Sequence, residues 1–276
     1  MKKIVFTDDE IKNIYQLYYN ENKSFNDLGI IYGCCGGVFQ KMFKNNGWES
    51  HSRTYKQNKY SVNEHYFDNI DTPDKAYCLG LFYADGCNHY EKGSISLELQ
   101  LEDYDLVNSI NNLISNTRPV AIYSSENNKY RKKDTCKMLA HSYYLSNKMS
   151  ELNFIPRKSL TLEFPYWMNK DLIPYMLRGY IDGDGWVQKY TIGFMSTNNF
   201  CIGVKQYLES VGIEGKIMDM KRHYNEVTKT FYINNTKMNL IPLTEMMFSG
   251  GTISMKRKVD KYIKFGFLKD NNSLAA

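Results

Sequence analysis

Hydrophobic and polar positions follow one order twice along the C-terminal two thirds of this chain. In "DTPDKAYCLGLFYADG" an N-cap threonine (Thr72) and a proline at the first helical position (Pro73) precede an apolar run, which predicts a buried helix ending at Gly86. After a turn, "SISLELQL" (94–101) alternates with period two and predicts a strand. A helix in "DLVNSINNLI", a hairpin in "PVAIYSSENNKYRKKDTCKMLAH" and a helix in "YLSNKMSELNF" follow. The second pass runs "DLIPYMLRGYIDGDG", strand "YTIGFMS", helix "FCIGVKQYLESVG", hairpin "KIMDMKRHYNEVTKTFYIN" and helix "TKMNLIPLTEMMF". The acids that close the two lead helices, Asp85 and Asp184, lie 99 residues apart (184 − 85), and each element between them recurs in register. The pattern predicts tandem αββαββ repeats related by a pseudo-twofold, an α+β fold.

Upstream, "TDDE" supplies a capping box, Thr7 with Glu10, and Ile11, Ile14, Tyr15 and Tyr18 recur at helical spacing. "SFNDLGIIYG" and "GGVFQKMFKNNG" add two short helices, so residues 1–50 read as a small all-α module. Three short helices with a tight turn before the last resemble a helix-turn-helix of the kind joined to recombinases and phage endonucleases. Gln40, Lys41 and Lys44 would then face DNA. The expected organisation is a helix-turn-helix-like module (1–50), a polar linker (51–70), a first repeat (71–155), an inter-repeat linker (156–170), a second repeat (171–265) and a tail (266–276).

Composition narrows the class without choosing a chemistry. With 42% hydrophobic and 24% charged residues the chain is an ordinary globular protein, and no apolar run approaches the roughly 20 residues of a membrane span. "MKKIVFTDDE" lacks an apolar stretch long enough for a secretory signal, so the expected compartment is the cytoplasm. The six cysteines form no C-x-x-C pair, which disfavours zinc and disulfide frameworks. A net charge of +5 leans only weakly toward a polyanion.

The chemistry is concentrated in "CLGLFYADG" (78–86) and "LRGYIDGDG" (177–185). Gly80 and Ala84, like Gly179 and Gly183, are four apart and share a helix face. Small residues at that spacing let two helix backbones approach closely, so these four residues predict an interface made from both repeats. Side-by-side packing would bring Asp85 and Asp184 together at helix C-termini, where the macrodipole already opposes a carboxylate. A hard divalent ion, Mg2+ (or Mn2+), is the natural counter-charge and suits phosphodiester hydrolysis. Asp-Gly is also a common turn dipeptide, and one copy alone would read as a helix stop.

These two nonapeptides resemble the paired motif of the LAGLIDADG homing endonucleases, in the form where one chain carries both copies. The resemblance covers about residues 71–265, and the first copy departs from it at Cys78 and Tyr83. It implies two antiparallel sheets forming a saddle over DNA, with the motif helices at the centre. The family's catalytic acid falls on Asp85 and Asp184, and the backbone carbonyls of Ala84 and Gly183 would complete the metal shell. Gln100 fits the place of a water-holding polar residue, with Met195 or Ser196 opposite it in the second copy, and Lys237 fits that of a lysine after the last strand. The first copy offers "AHSYY" there, with His141 or Tyr143 nearest.

Lys129, Arg131, Lys132 and Lys133 in one hairpin, and Lys216, Lys221, Arg222 and Lys229 in the other, predict two phosphate-tracking arms on corresponding strands. "KRKVDKYIK" (256–264) reads as a surface helix. The expected activity is a monomeric, metal-dependent, site-specific double-strand DNA endonuclease of homing type. The alternatives are a catalytically reduced DNA-binding regulator, a nickase, or a splicing maturase whose partner is intron RNA.

Overall fold

The computed structural model describes residues 4, 6–21, 23–50, 60–115, 117–126, 132–219, 228–234 and 237–269. The chain divides into two compact units, Met1–Lys59 and Tyr60–Ala276. In the first, α1 (Asp8–Tyr19), α2 (Phe25–Ile31) and α3 (Gly36–Asn45) pack around Ile14, Tyr18, Leu28, Phe39 and Phe43. Reciprocal capping boxes start α1 (Thr7 with Glu10) and α2 (Ser24 with Asp27), so orphan amide groups at both helix starts are satisfied locally.

The second unit opens with residues that the sequence reads as a polar linker, yet Tyr66 and Phe67 are buried in its core. Then come α4 (Pro73–Asp85), β1 (Gly86–His89), β2 (Ser94–Gln100), α5 (Tyr104–Ile114), β3 (Ala121–Tyr123), β4 (Thr135–His141) and α6 (Tyr143–Glu151). The second repeat gives α7 (Ile173–Asp184), β5 (Gly185–Gln188), β6 (Thr191–Thr197), α8 (Asn198–Ser210), β7 (Lys216–Asp219), β8 (Thr228–Asn234), α9 (Lys237–Phe248) and α10 (Lys256–Lys264). Each repeat forms a four-stranded antiparallel sheet, ordered β1-β2-β4-β3 and β5-β6-β8-β7. Gly86 pairs with Leu97 as Gly185 pairs with Phe194, so the sheets match register for register. The unit is thus an α+β architecture of two repeats, as the sequence predicts.

Alternation along each strand decides which face is covered. Ile95, Leu97 and Leu99 of β2, with Ile192 and Phe194 of β6, enter the core beneath the helices, while the intervening residues face away. The register corrects one expectation: the counterpart of Gln100, paired with Thr135, is Thr197, paired with Thr228, rather than Met195 or Ser196. Thr197 is buried, caps α8 through Phe200 N–H and donates to the Leu162 carbonyl.

Helices α4 and α7 cross at the middle of the unit, each buried along most of its length. A Cβ on Gly80 would strike the Met176 carbonyl, and one on Gly179 would strike the carbonyl of Tyr77, both closer than real Cβ atoms come. The two clashes are images of each other under the 99-residue repeat. Side-chain-free surface at these levels lets backbone meet backbone, the pseudo-twofold contact expected from the glycine spacing.

Candidate active site

The two helices are still in contact at their last turns, and the acids stand at those ends. Gly86 and Gly185 turn the chain at once into β1 and β5. A Cβ on Gly86 would lie 2.7 Å from the Phe82 carbonyl oxygen, and one on Gly185 2.6 Å from that of Ile181. The glycine of each Asp-Gly pair therefore permits a sharp helix-to-strand turn, and the turn presents the preceding carboxylate. A Cβ on Gly183 would meet Ala84 Cβ and lie 2.7 Å from Asp85 Oδ2. All four small residues expected at the interface, Gly80, Ala84, Gly179 and Gly183, thus lie where the helices touch.

Both carboxylates reach solvent, yet the protein around them displaces part of their hydration. Burial and then the charge of Asp184 push the Asp85 carboxyl up to about 6, opposed by Lys158, Arg257 and Lys258. Asp184 is raised as well, chiefly by burial, against the pull of Lys158 and Lys258. Burial leads both shifts, and Lys158 and Lys258, with Arg257 for Asp85, oppose it.

Two lysines stand beside the pair. Lys158 Nζ donates to the Gly86 carbonyl at 2.7 Å, and Lys258 Nζ donates to the Gly185 carbonyl and, at 3.2 Å, to that of Ile181. Each amine therefore holds the residue that follows one acid. Burial lowers the Lys158 amine, countered by Asp184 and Asp85, and lowers Lys258 to about 8. The chain enters Lys158 through Arg157, a non-glycine residue in the left-handed region (φ 60°), a conformation that costs roughly 1–3 kcal/mol.

Neither lysine stands out in the sequence. Lys158 falls in the inter-repeat linker, and Lys258 in the helix expected to lie on the surface. That second expectation is corrected: Lys258 is 4% exposed, Tyr262 is fully buried, and Arg257 Nε contacts both Asp103 oxygens at 3.0 Å. A signal does exist, since both lysines follow their acids at nearly equal distance, 73 residues (158 − 85) and 74 residues (258 − 184).

Behind the site, Asp182 and Arg178 are buried on α7. Asp182 accepts from Tyr77 Oη at 2.7 Å and from Met255 N–H at 3.2 Å. Arg178 donates to the carbonyls of Met247 and Ile253 and lies over the rings of Tyr77 and Phe248. This network ties the second motif helix to the segment that delivers Lys258.

Other expected residues are more dispersed. Gln100 closes β2, three residues past the partner of Gly86, and its Oε1 accepts from Lys133 Nζ at 3.0 Å. Lys237 begins α9, but its side chain lies outside the described residues, as do Lys129, Arg131, Lys221 and Arg222. Lys132 and Lys133 are exposed in the loop before β4, whereas Lys216 is exposed on β7 and Lys229 sits on β8. The described cations thus do not occupy corresponding strands. Lys229 pairs with Asp219 at 2.5 Å on the face of the sheet shared with Ile217, Phe231 and Ser196, so its charge is partly spent within the protein.

In the first unit, Gly37, Gln40, Lys41 and Lys44 are exposed along one face of α3. Tyr32–Cys35 form the turn, with Gly33 at φ +64°. A Cβ on Gly29 would approach the Cys34 carbonyl to 2.5 Å, which keeps α2 and α3 close.

Residues 171–240, the second repeat as far as the start of α9, match the family model of a LAGLIDADG-like domain. The match covers 70 of the 276 residues, so it is the second repeat that is similar to a LAGLIDADG-like domain. Solved structures of LAGLIDADG proteins are similar to the chain at low identity. I-WcaI bound to its DNA recognition sequence is 13% identical, with a TM-score of 0.46, over 78% of this chain and 96% of that one. I-SmaMI bound to an uncleaved DNA target with calcium ions is 12% identical, with a TM-score of 0.44, over 75% and 94%. The N-terminal LAGLIDADG domain of DUF199/WhiA is 14% identical, with a TM-score of 0.41, over 73% and 90%. No curated protein matches the chain. Among the described residues no helix is long and apolar enough to cross a membrane.

Proposed function

We propose that this chain is a site-specific DNA endonuclease that hydrolyses one phosphodiester in each strand of a duplex, using Asp85 and Asp184. The observation that carries this reading is the meeting of two proton-hungry carboxylates, one from each repeat, at the solvent-facing ends of packed helices. One chain supplies both acids, so a monomer suffices.

The donor set fits a hard divalent ion such as Mg2+ or Mn2+. Two carboxylates with raised proton affinity will also favour a cation, and the Ala84 and Gly183 carbonyls precede them. Bound there, the ion supplies positive charge at the scissile phosphate and activation of the attacking water.

The chain's own residues do the rest. Asp85 and Asp184 hold the charge that recruits the ion and orient it. Lys158 and Lys258 fix the turns that carry the acids, and each keeps a positive charge beside the centre where phosphate charge accumulates. Their equivalent placement supports cutting of both strands over nicking. Gln100 is the candidate for orienting water, and Lys132, Lys133 and Lys216 are candidates for phosphate contact, with Lys129, Arg131, Lys221, Arg222 and Lys237 beside them. The outward face of α3, with Gln40, Lys41 and Lys44, gives the first unit its own duplex contact.

The test is cleavage of a host-genome or randomised DNA pool with magnesium, followed by sequencing of the ends. Specific cuts that vanish in Asp184→Asn support the reading. Specific binding with no cut at any protein or metal concentration overturns it in favour of a DNA-binding regulator.

A further inference from the structure

The sixth position of the two nonapeptides holds unlike residues, Tyr83 in α4 and Asp182 in α7, 99 residues apart (182 − 83). Both are buried, and each bonds the backbone of a segment that leads to a lysine. Tyr83 Oη donates to the Leu152 carbonyl, six residues before Lys158 (158 − 152). Asp182 Oδ2 accepts from Met255 N–H at 3.2 Å, three residues before Lys258 (258 − 255). The two bonds have opposite polarity, and the helix ends they meet explain it. Leu152 closes α6, where carbonyls lack helical partners and need a donor. Met255 opens α10, where amides need an acceptor and the N-cap side chain offers none. A phenol suits the first end and a carboxylate the second.

Neither lysine would find its glycine carbonyl without such an anchor. Asn153 (φ 66°) and Arg157 (φ 60°), the two non-glycine residues at positive φ among the described residues, both lie between Leu152 and Lys158. Buried Asn88 of β1 donates to the Phe154 carbonyl at 2.8 Å, and Lys158 Nζ lies 5.5 Å from the centre of the Phe154 ring. A Cβ on Gly86 would come within 2.9 Å of that ring, so the segment packs directly against the turn that carries Asp85. In the second half Asp182 also accepts from Tyr77 Oη of the opposite motif helix, at 2.7 Å. Each lysine thus follows a path that its own motif helix pins, two residues before the acid.

Resting on the endonuclease reading above, we propose that Tyr83 and Asp182 are positioning residues, each setting the lysine of its own half and, through it, the rate at which one strand is cut. Tyr83 is then a matched replacement and not a lapse from the motif. An aspartate at 83 would set a carboxylate against the Leu152 carbonyl, two acceptors with no proton between them.

The test follows the two strands separately. A duplex carrying the cut site, labelled on both strands, is cleaved by the full-length protein in magnesium at single turnover, and Lys158→Met and Lys258→Met assign a strand to each lysine. Tyr83→Phe keeps the ring and removes one donor. It should slow the strand assigned to Lys158 by about ten-fold and the other by less than about two-fold. Tyr83→Asp should slow that strand at least as much. Asp182→Ala should slow the strand assigned to Lys258, and Asp182→Asn, whose amide oxygen still accepts, should regain most of the rate. A second readout needs neither cleavage nor metal. Trace acetylation of the folded protein, read by peptide mass spectrometry, should rise several-fold at Lys158 in Tyr83→Phe and stay level at Lys258. Lysine variants that each slow both strands alike, equal slowing of both strands by Tyr83→Phe, or unchanged Lys158 labelling would overturn the inference while leaving cleavage intact. A parent protein that binds duplex and never cuts would sink the nuclease reading, and the acetylation then decides whether Tyr83 sets the lysine.

Discussion

Lys158 and Lys258 hold the same bond in the two halves of the molecule, each donating to the carbonyl of the glycine that follows a motif aspartate. One amine arrives from the segment between the repeats and the other from α10, so the equivalence is of position and not of local structure. Replacing either by methionine keeps the apolar stem and removes the charge. Lys258→Met is expected to slow cleavage on the order of 100-fold, the scale for losing one stabilising donor at a reacting centre. DNA affinity, measured by gel shift in calcium, should change little. Equal losses of binding and cleavage would mean that the lysine serves only to hold DNA.

The acids give a pH signature whose sign is opposite to ordinary acid denaturation. The folded pKa of Asp85 is about 6 against 3.8 for the free group, so the folded chain binds this proton more tightly. Its contribution to stability is fully present below about 3.8 and is lost as pH rises through 6. Asp85→Asn should therefore raise the Tm of the metal-free protein at pH 7.5 and not at pH 4. In the endonuclease reading cleavage needs the ionised acids and should fall at low pH, with a midpoint that a bound divalent ion moves below about 6.

Divalent ions should stabilise the same state. Saturating Mg2+ or Mn2+ binds the folded form and should raise Tm, by about 2.7 kcal/mol of stability at 100 times the dissociation constant. The shift should disappear in the Asp85→Asn, Asp184→Asn double variant, and calorimetric scans with and without chelator decide the point.

The helix contact has no room for a methyl group. Gly80→Ala or Gly179→Ala would push Cβ into a facing carbonyl on the other helix. Overpacking of this kind costs about 1–3 kcal/mol, and more when only backbone can yield. Urea melts should show the loss, and activity should fall further than stability because the helix ends carry the acids. Gly37→Ala, on an open face of α3, serves as the control and should be neutral or mildly stabilising.

The first unit is tested separately from the nuclease centre. Lys41→Ala with Lys44→Ala removes two exposed charges without touching the core of Ile14, Tyr18, Leu28, Phe39 and Phe43. The expected outcome is a shorter footprint and a shallower salt dependence of binding, with slope reduced by about 1 for each phosphate that is no longer neutralised. Cleavage of a site saturated with protein should be unchanged.

The duplicated order of helices and strands, the capped starts of α1 and α4, and the glycine faces were legible because each depends on neighbours a few residues apart. Periodicity, capping and i,i+4 spacing are local, and 99-residue recurrence makes chance matches improbable. The pairing of Asp85 with Asp184 was legible for the same reason, since two glycine-faced helices ending in acids can satisfy both faces by meeting each other.

Other features depended on where the chain returns. Lys158 and Lys258 come to the acids from more than 70 residues downstream, through a left-handed turn and a helix that looks solvated by composition. The partner of Gln100 follows from strand register, which sequence periodicity leaves free by two-residue steps. Sequence alone determined two like halves joined through glycine at a pair of acids, because those instructions are short-range. Tertiary structure decided which distant amines stand beside the acids and which side chains share a sheet face, because long-range packing and pairing set both.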